Sequence, residues 1–233
     1  LLFTTEREAL DNLRREGIHP DRVCFVGNVM IDTLRACLPR AILPAQTLAA
    51  APDPAVFFNS PNGYGILTLH RPGNVDDPAV LEQLLRVLSE ISRELPLVFP
   101  VHPRTRSMID QAGFSALLDS PQFCCLPPQG YLEMLGLMQG ARLALTDSGG
   151  VQEETTALGV PCLTLRANTE RPITVTEGTN TIVGADPERI RRAVQEVLTQ
   201  GGKAGRIPDY WDGRASERIA TVLADCLANG ERT

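Results

Sequence analysis

Apolar residues follow two alternating rhythms along this chain. Short, continuous apolar runs recur as RVCFV (22–26), GILTL (65–69), LVFPV (97–101), FCCL (123–126), LALT (143–146) and VPCLTL (160–165). Runs of this length, rich in β-branched residues, read as strands buried on both faces. Between them the apolar positions fall three and four apart. Leu81, Leu84, Leu85, Leu88 and Ile91 form one stripe of a helix predicted over residues 80–95. Further helices are predicted over residues 107–118, 131–139, 151–158, 187–199 and 215–227. Residues 1–3 read as the end of a buried strand. Thr4 or Thr5 then caps a helix, with Glu8 completing a capping box and Gly17 stopping it. RVCFV leads through Gly27, Asn28 and Asp32 into a helix carrying Leu34 and Cys37. Residues 39–63, rich in Pro, Ala and Asn, read as a linker or a meandering connection. An opening in mid-element, without an initiator Met, leads us to expect that a larger protein precedes Leu1.

Strands separated by helices at this spacing imply parallel βαβ units with right-handed crossovers. The expected fold is therefore α/β, a doubly wound and mainly parallel Rossmann-like sheet. Such sheets bind ligands at the carboxyl ends of their strands. Those ends carry His70-Arg71-Pro72-Gly73-Asn74, His102-Pro103-Arg104, Asp147-Ser148-Gly149-Gly150 and Arg166, with Thr169-Glu170-Arg171-Pro172 close behind. Two of the three histidines project from one sheet edge, and we take His70 as a functional candidate. His19 lies in a turn and is read as inert.

Charge narrows the chemistry. The 233 residues carry a net charge of −6 and a pI near 5.2, which argues against sequence-independent nucleic-acid binding. An anionic ligand must then be held by a few placed donors. Ser148-Gly149-Gly150 supplies them: bare glycines let backbone N–H groups approach an oxyanion, and the helix behind adds unpaired amides and its positive dipole end. Glu154, one turn into that helix, does not favour phosphate and suits two ribose hydroxyls instead. On these residues alone, an ordinary glycine turn ahead of a Glu153-Glu154 pair remains open. The six cysteines form no metal-ligand spacing and read as free thiols of a reducing, cytoplasmic compartment. No apolar run is long enough to span a bilayer, so no membrane partner is expected.

The string TDSGGVQEE, followed by LGVPCLTLRANTERPITVTEGTNTIVG, closely resembles the non-hydrolysing bacterial UDP-N-acetylglucosamine 2-epimerases. GNVMIDTL, LTLHRPGNVDDP, FPVHPRTR, LPPQGYLEMLGLM and YWDGRASERI resemble them in the same order. The resemblance implies a GT-B-like C-terminal domain whose N-terminal partner domain is missing. Residues 1–25 would close that first domain, 26–214 would form the UDP-binding Rossmann-like domain, and 215–233 a terminal helix and tail. It implies that Ser148, Gly149 and Gly150 hold a diphosphate and that Glu154 takes the ribose. Gln129 and Met134 would flank the uracil, Arg171 would line the cleft, and His70 would act near the diphosphate and the reacting sugar. Gly73 and Ala167 depart from the family pattern. The implied reaction is inversion at C2 of a UDP-sugar by elimination and re-addition of UDP, without cofactor or metal. The full-length protein would be a homodimer, and the proton-handling acids would lie in the absent half. Alternatives are a GT-B glycosyltransferase, a non-enzymatic UDP-sugar-binding module and a hydrolysing epimerase.

Overall fold

The computed structural model describes residues 1–230 and divides them into two compact units. One is Leu1–Pro39 with the segment from Ile207 onward; the other is Arg40–Arg206. In the smaller unit, β1 (Leu2–Thr4) pairs in parallel with β2 (Val23–Phe25) across α1 (Glu8–Arg15), and α2 (Val29–Cys37) follows. The expected capping box does not form. Thr4 ends β1, and α1 starts only at Glu8, behind Arg7, with no side-chain cap.

Residues 39–63 are not a linker. They hold α3 (Pro44–Thr47) and α4 (Ala55–Asn59), and both Leu48 and Phe57 are buried. The Ile42 N–H donates to the Leu132 carbonyl at 3.0 Å. The Ile42 carbonyl oxygen lies where a Cβ on Gly136 would stand only 1.8 Å away, a close approach that glycine alone permits.

The rest of the larger unit alternates strand and helix. β3 (Gly65–Thr68) is followed by the short α5 (Pro72–Val75) and the long α6 (Pro78–Ile91). β4 (Leu97–Pro100) leads to α7 (Pro103–Ala112), and β5 (Phe123–Leu126) to α8 (Tyr131–Gly140). β6 (Leu143–Thr146) precedes α9 (Gly149–Leu158), β7 (Cys162–Thr164) precedes α10 (Pro172–Thr176), and β8 (Asn180–Ile182) precedes α11 (Pro187–Gln200). The helix expected over 107–118 instead begins at Pro103 and stops at the left-handed Gly113 (φ 72°). The expected alternation holds, while α5, α10 and β8 were not anticipated.

All six strands run parallel in the order β5-β4-β3-β6-β7-β8. The chain starts in the middle at β3, builds outward to β5, then returns to lay β6 beside β3. That reversal is the switch point of a doubly wound sheet. On one face, Leu81, Leu84, Leu85 and Leu88 of α6 pack with Ile190 and Val194 of α11 over Leu67, Phe99 and Leu145. Each such leucine, fully removed from water, contributes about 1.5–3 kcal/mol.

The smaller unit closes with α12 (Ala215–Gly230). Asp32 accepts from the amides of Ala215 and Ser216 at 3.0 and 2.7 Å, capping α12 across 183 residues of sequence. Arg35 donates to the carbonyl of the fully buried Trp211. Residues 26–39 and 207–214 therefore group with α12, whereas the expected boundaries at 25 and 214 put both segments in the second Rossmann-like domain.

Candidate active site

The site is built where β3 and β6 lie side by side. Thr68 and Thr146 are register partners, so the residues that follow each strand emerge together. The two hydroxyls meet at 2.6 Å, and Thr146 Oγ1 also accepts from the Ser148 amide at 2.9 Å. Asp147, fully buried, then ties the two loops together. Its carboxylate accepts from the amides of His70 (3.0 Å) and Arg71 (2.9 Å) and from Asn74 Nδ2 (3.1 Å). His70 Nδ1 lies 3.0 Å from Asp147 Oδ1. Burial alone pushes the Asp147 carboxyl upward, but the bonds from the His70 ring and the two amides outweigh it and hold it below its ordinary value.

Next to Asp147, α9 begins. Ser148 sits in extended backbone as its N-cap, yet its side chain makes no capping bond. The orphan amides of the first turn are thus left to whatever occupies the space before them. Neither Gly149 nor Gly150 has a positive φ. A Cβ built on Gly149 comes no nearer than 3.9 Å to Arg171 Cγ, and one on Gly150 no nearer than 3.9 Å to Ser148 Oγ. Backbone conformation and internal packing give no reason for glycine at either position. The two missing side chains keep the ground before the helix end clear.

A crevice of about 230 Å³ opens beside this helix end, lined among others by His70, His102, Gln129, Met134, Ser148 and Val151. Four sequence candidates thereby meet: His70, Gln129, Met134 and Ser148. Gln129 is oriented by donating to the Pro127 carbonyl at 2.8 Å. The His102 ring tilts against that of His70, centroids 5.6 Å apart, while its Nδ1 accepts from the Arg104 amide and caps α7. A cavity of about 280 Å³ between α6 and α11 is lined by Glu90, Glu94 and Arg191, which engage one another or nearby side chains. It is remote from the strand ends and offers no comparable chemistry.

Arg171 and Glu154 complete the candidates. The Arg171 stem passes over Gly149, and its Nε lies 2.9 Å from Glu153 Oε1 as an ion pair rather than an aligned hydrogen bond. Its loop is held by a buried polar network. The Thr169 hydroxyl accepts from the Arg171 amide at 2.9 Å and donates to Gln152 Oε1, which also accepts from Asn180 Nδ2 at 3.2 Å. Glu154 is buried and hydrogen-bonded by Tyr131. Burial first, with a smaller push from Glu153, raises its carboxyl to about 7 against the pull of Tyr131.

With this geometry in place, comparison with known proteins is decisive. The family model described as UDP-N-acetylglucosamine 2-epimerase matches residues 1–224. The chain belongs to the UDP-N-acetylglucosamine 2-epimerase family. It is 38% identical over 228 residues to the UDP-N-acetylglucosamine 2-epimerase of Methanocaldococcus jannaschii, covering 95% of this chain and 60% of that protein. It is likewise 38% identical over 231 residues to the UDP-2,3-diacetamido-2,3-dideoxy-D-glucuronate 2-epimerase of Pseudomonas aeruginosa, covering 96% and 59%. The crystal structure of the M. jannaschii enzyme in complex with UDP-GlcNAc and UDP superposes with a TM-score of 0.80 at 36% identity, over 96% of this chain and 60% of that one. The chain thus spans about 60% of the length of the relatives it matches. The mainly parallel, Rossmann-like architecture expected from the sequence is the one these relatives share.

Within this member of the epimerase family, sequence reasoning passed over Asp147 and Asn74 as structural partners of the site. Asn74 Nδ2 bridges Asp147 and the Leu165 carbonyl, 3.1 and 2.9 Å away, and so joins the loops after β3 and β7. The signal was a carboxylate immediately before Ser-Gly-Gly at a strand end. Its meaning depends on which strand lies alongside, which no local pattern states.

Proposed function

We propose that this chain carries the nucleotide-holding part of a UDP-sugar 2-epimerase, an isomerase that inverts C2 by eliminating and re-adding UDP. The observation that carries the reading is the uncapped start of α9, kept clear by two glycines that the fold itself does not require. Amides at a helix N-terminus stabilise a diphosphate, and a departing diphosphate most of all, because its charge grows as the sugar bond breaks. His70 and Arg171 border that seat and serve as donors to the leaving group. Gln129 and Met134 flank the base, and Glu154, once ionised, accepts from the ribose hydroxyls. The named activities of the two relatives differ in the sugar and agree in UDP and in C2. UDP is therefore the part of the ligand assigned here, and UDP-N-acetylglucosamine the first sugar to try. The enzyme works in the cytoplasm, in building envelope polysaccharide, and as a homodimer.

Inversion at C2 also needs a base beside C2 and an acid opposite. The chain spans about 60% of the length of the epimerases it matches, and we expect it to bind UDP without interconverting the C2 epimers by itself. Calorimetric titration tests the first half: UDP binds, and uridine, which lacks the diphosphate, binds at least about tenfold more weakly, in line with the strength of charge-assisted bonds. Equal affinity for the two removes the diphosphate seat. Proton NMR of UDP-GlcNAc incubated with the chain tests the second; appearance of UDP-N-acetylmannosamine contradicts it.

A further inference from the structure

The buried Asp147 has more partners than a loop staple requires. Two backbone amides and Asn74 already fix the turn after β3. The fourth partner is the His70 ring, the one histidine whose side chain both lines the crevice and meets a fully buried carboxylate. A carboxylate only accepts, so its 3.0 Å approach to Nδ1 calls for a proton on Nδ1. The remaining ring nitrogen, Nε2, is then an acceptor in neutral histidine and a donor in the protonated form. Through the bond from the His70 amide to the same carboxylate, ring and backbone are clamped at one point.

We infer that Asp147 is a positioning residue for His70: it holds a proton on Nδ1 and so turns Nε2 to the ligand, where the doubly protonated ring donates to the diphosphate oxygens. Among the described residues, Asp147 is the one acid the geometry brings within bonding distance of the His70 ring, and His102 approaches ring to ring. His102 Nδ1 is itself occupied as an acceptor at the start of α7, so it does not compete for the carboxylate. Asn74, which donates to Asp147 and to the Leu165 carbonyl, holds the carboxylate from its other side. The order of influence therefore runs from Asn74 to Asp147 to His70 to ligand. The diphosphate as occupant rests on the nucleotide reading above; the tautomer does not.

The variant Asp147→Asn is close in shape and reverses one donor. Its Oδ1 still accepts from the His70 and Arg71 amides, while its Nδ2 donates to His70 Nδ1 and drives the proton to Nε2. The experiment is two-bond ¹⁵N–¹H NMR of the histidine rings in the 233-residue chain, with and without UDP. Wild type shows His70 with its proton on Nδ1, and adding UDP places a second proton on Nε2. Asp147→Asn shows the Nε2–H tautomer with and without UDP, and its UDP affinity falls about tenfold, because a neutral ring donor replaces a charge-assisted one. His19 and His102 serve as internal references whose tautomers do not change. A purely structural Asp147 would lower stability without moving the tautomer. An Nε2–H tautomer in wild-type His70 overturns the inference even if the variant does not fold. So does an unchanged tautomer in Asp147→Asn. The expected tautomers with no Nε2 response to UDP support the Asp147–His70 pairing and contradict the diphosphate reading instead.

Discussion

Glu154 shows how one side chain reports on its surroundings. Burial favours its neutral form, so the folded chain holds that proton up to about pH 7, whereas an unfolded chain releases it near 4.5. The sign follows: the fold binds the proton more tightly, so the associated stability is complete below about pH 4.5 and lost as pH rises through 7. Glu154→Gln, which carries no charge to desolvate, is then as stable as wild type at pH 4.5 and more stable at pH 8, by roughly 3 kcal/mol at most. Urea unfolding at the two pH values measures this; equal stability of the two proteins at pH 8 contradicts the assigned environment. At this scale the sequence was informative where chemistry is local. The glycine pair before α9 and a histidine at a strand end are visible as letters. The carboxylate of Asp147 was equally visible, but its four partners all come from the loop after another strand, β3. No spacing rule reaches across 73 to 77 residues.

Elements were legible in proportion to how much apolar surface each buries. The four-residue strands β3 to β6 and the leucine stripe of α6 stand out because the core is made of them. The misses have physical causes. β8 is three residues long and opens with Asn180, whose buried side chain serves a polar network rather than an apolar face. Residues 39–63 break their apolar positions with prolines, so Leu48 and Phe57 never form a period, yet both are buried. That this segment is docked structure is testable at Gly136. Gly136→Val places a side chain where the Ile42 carbonyl already stands, and overpacking of this kind costs about 1–3 kcal/mol. The expected result is a lower Tm together with faster amide exchange at Ile42. An unchanged Tm contradicts the contact.

For the molecule as a whole, binding must succeed against an unfavourable background. With a net charge of −6, long-range attraction does not draw a diphosphate in, so in the proposed complex fixed amides, His70 and Arg171 hold it locally. On the proposed reading, α9 begins where a diphosphate belongs, and Gly149 and Gly150 are bare for the ligand's sake. Calorimetric titration of UDP into wild type and Gly150→Ala, with the Tm of each, tests it most directly. Alanine costs the fold nothing here, since φ is ordinary and no protein atom lies nearer than 3.9 Å to the new Cβ, and it favours a helix over glycine. The expected result is a Tm equal to or above wild type, with UDP affinity reduced at least about tenfold, since the methyl group displaces ligand oxygens from the amides. Unchanged UDP affinity in a stable Gly150→Ala protein contradicts it.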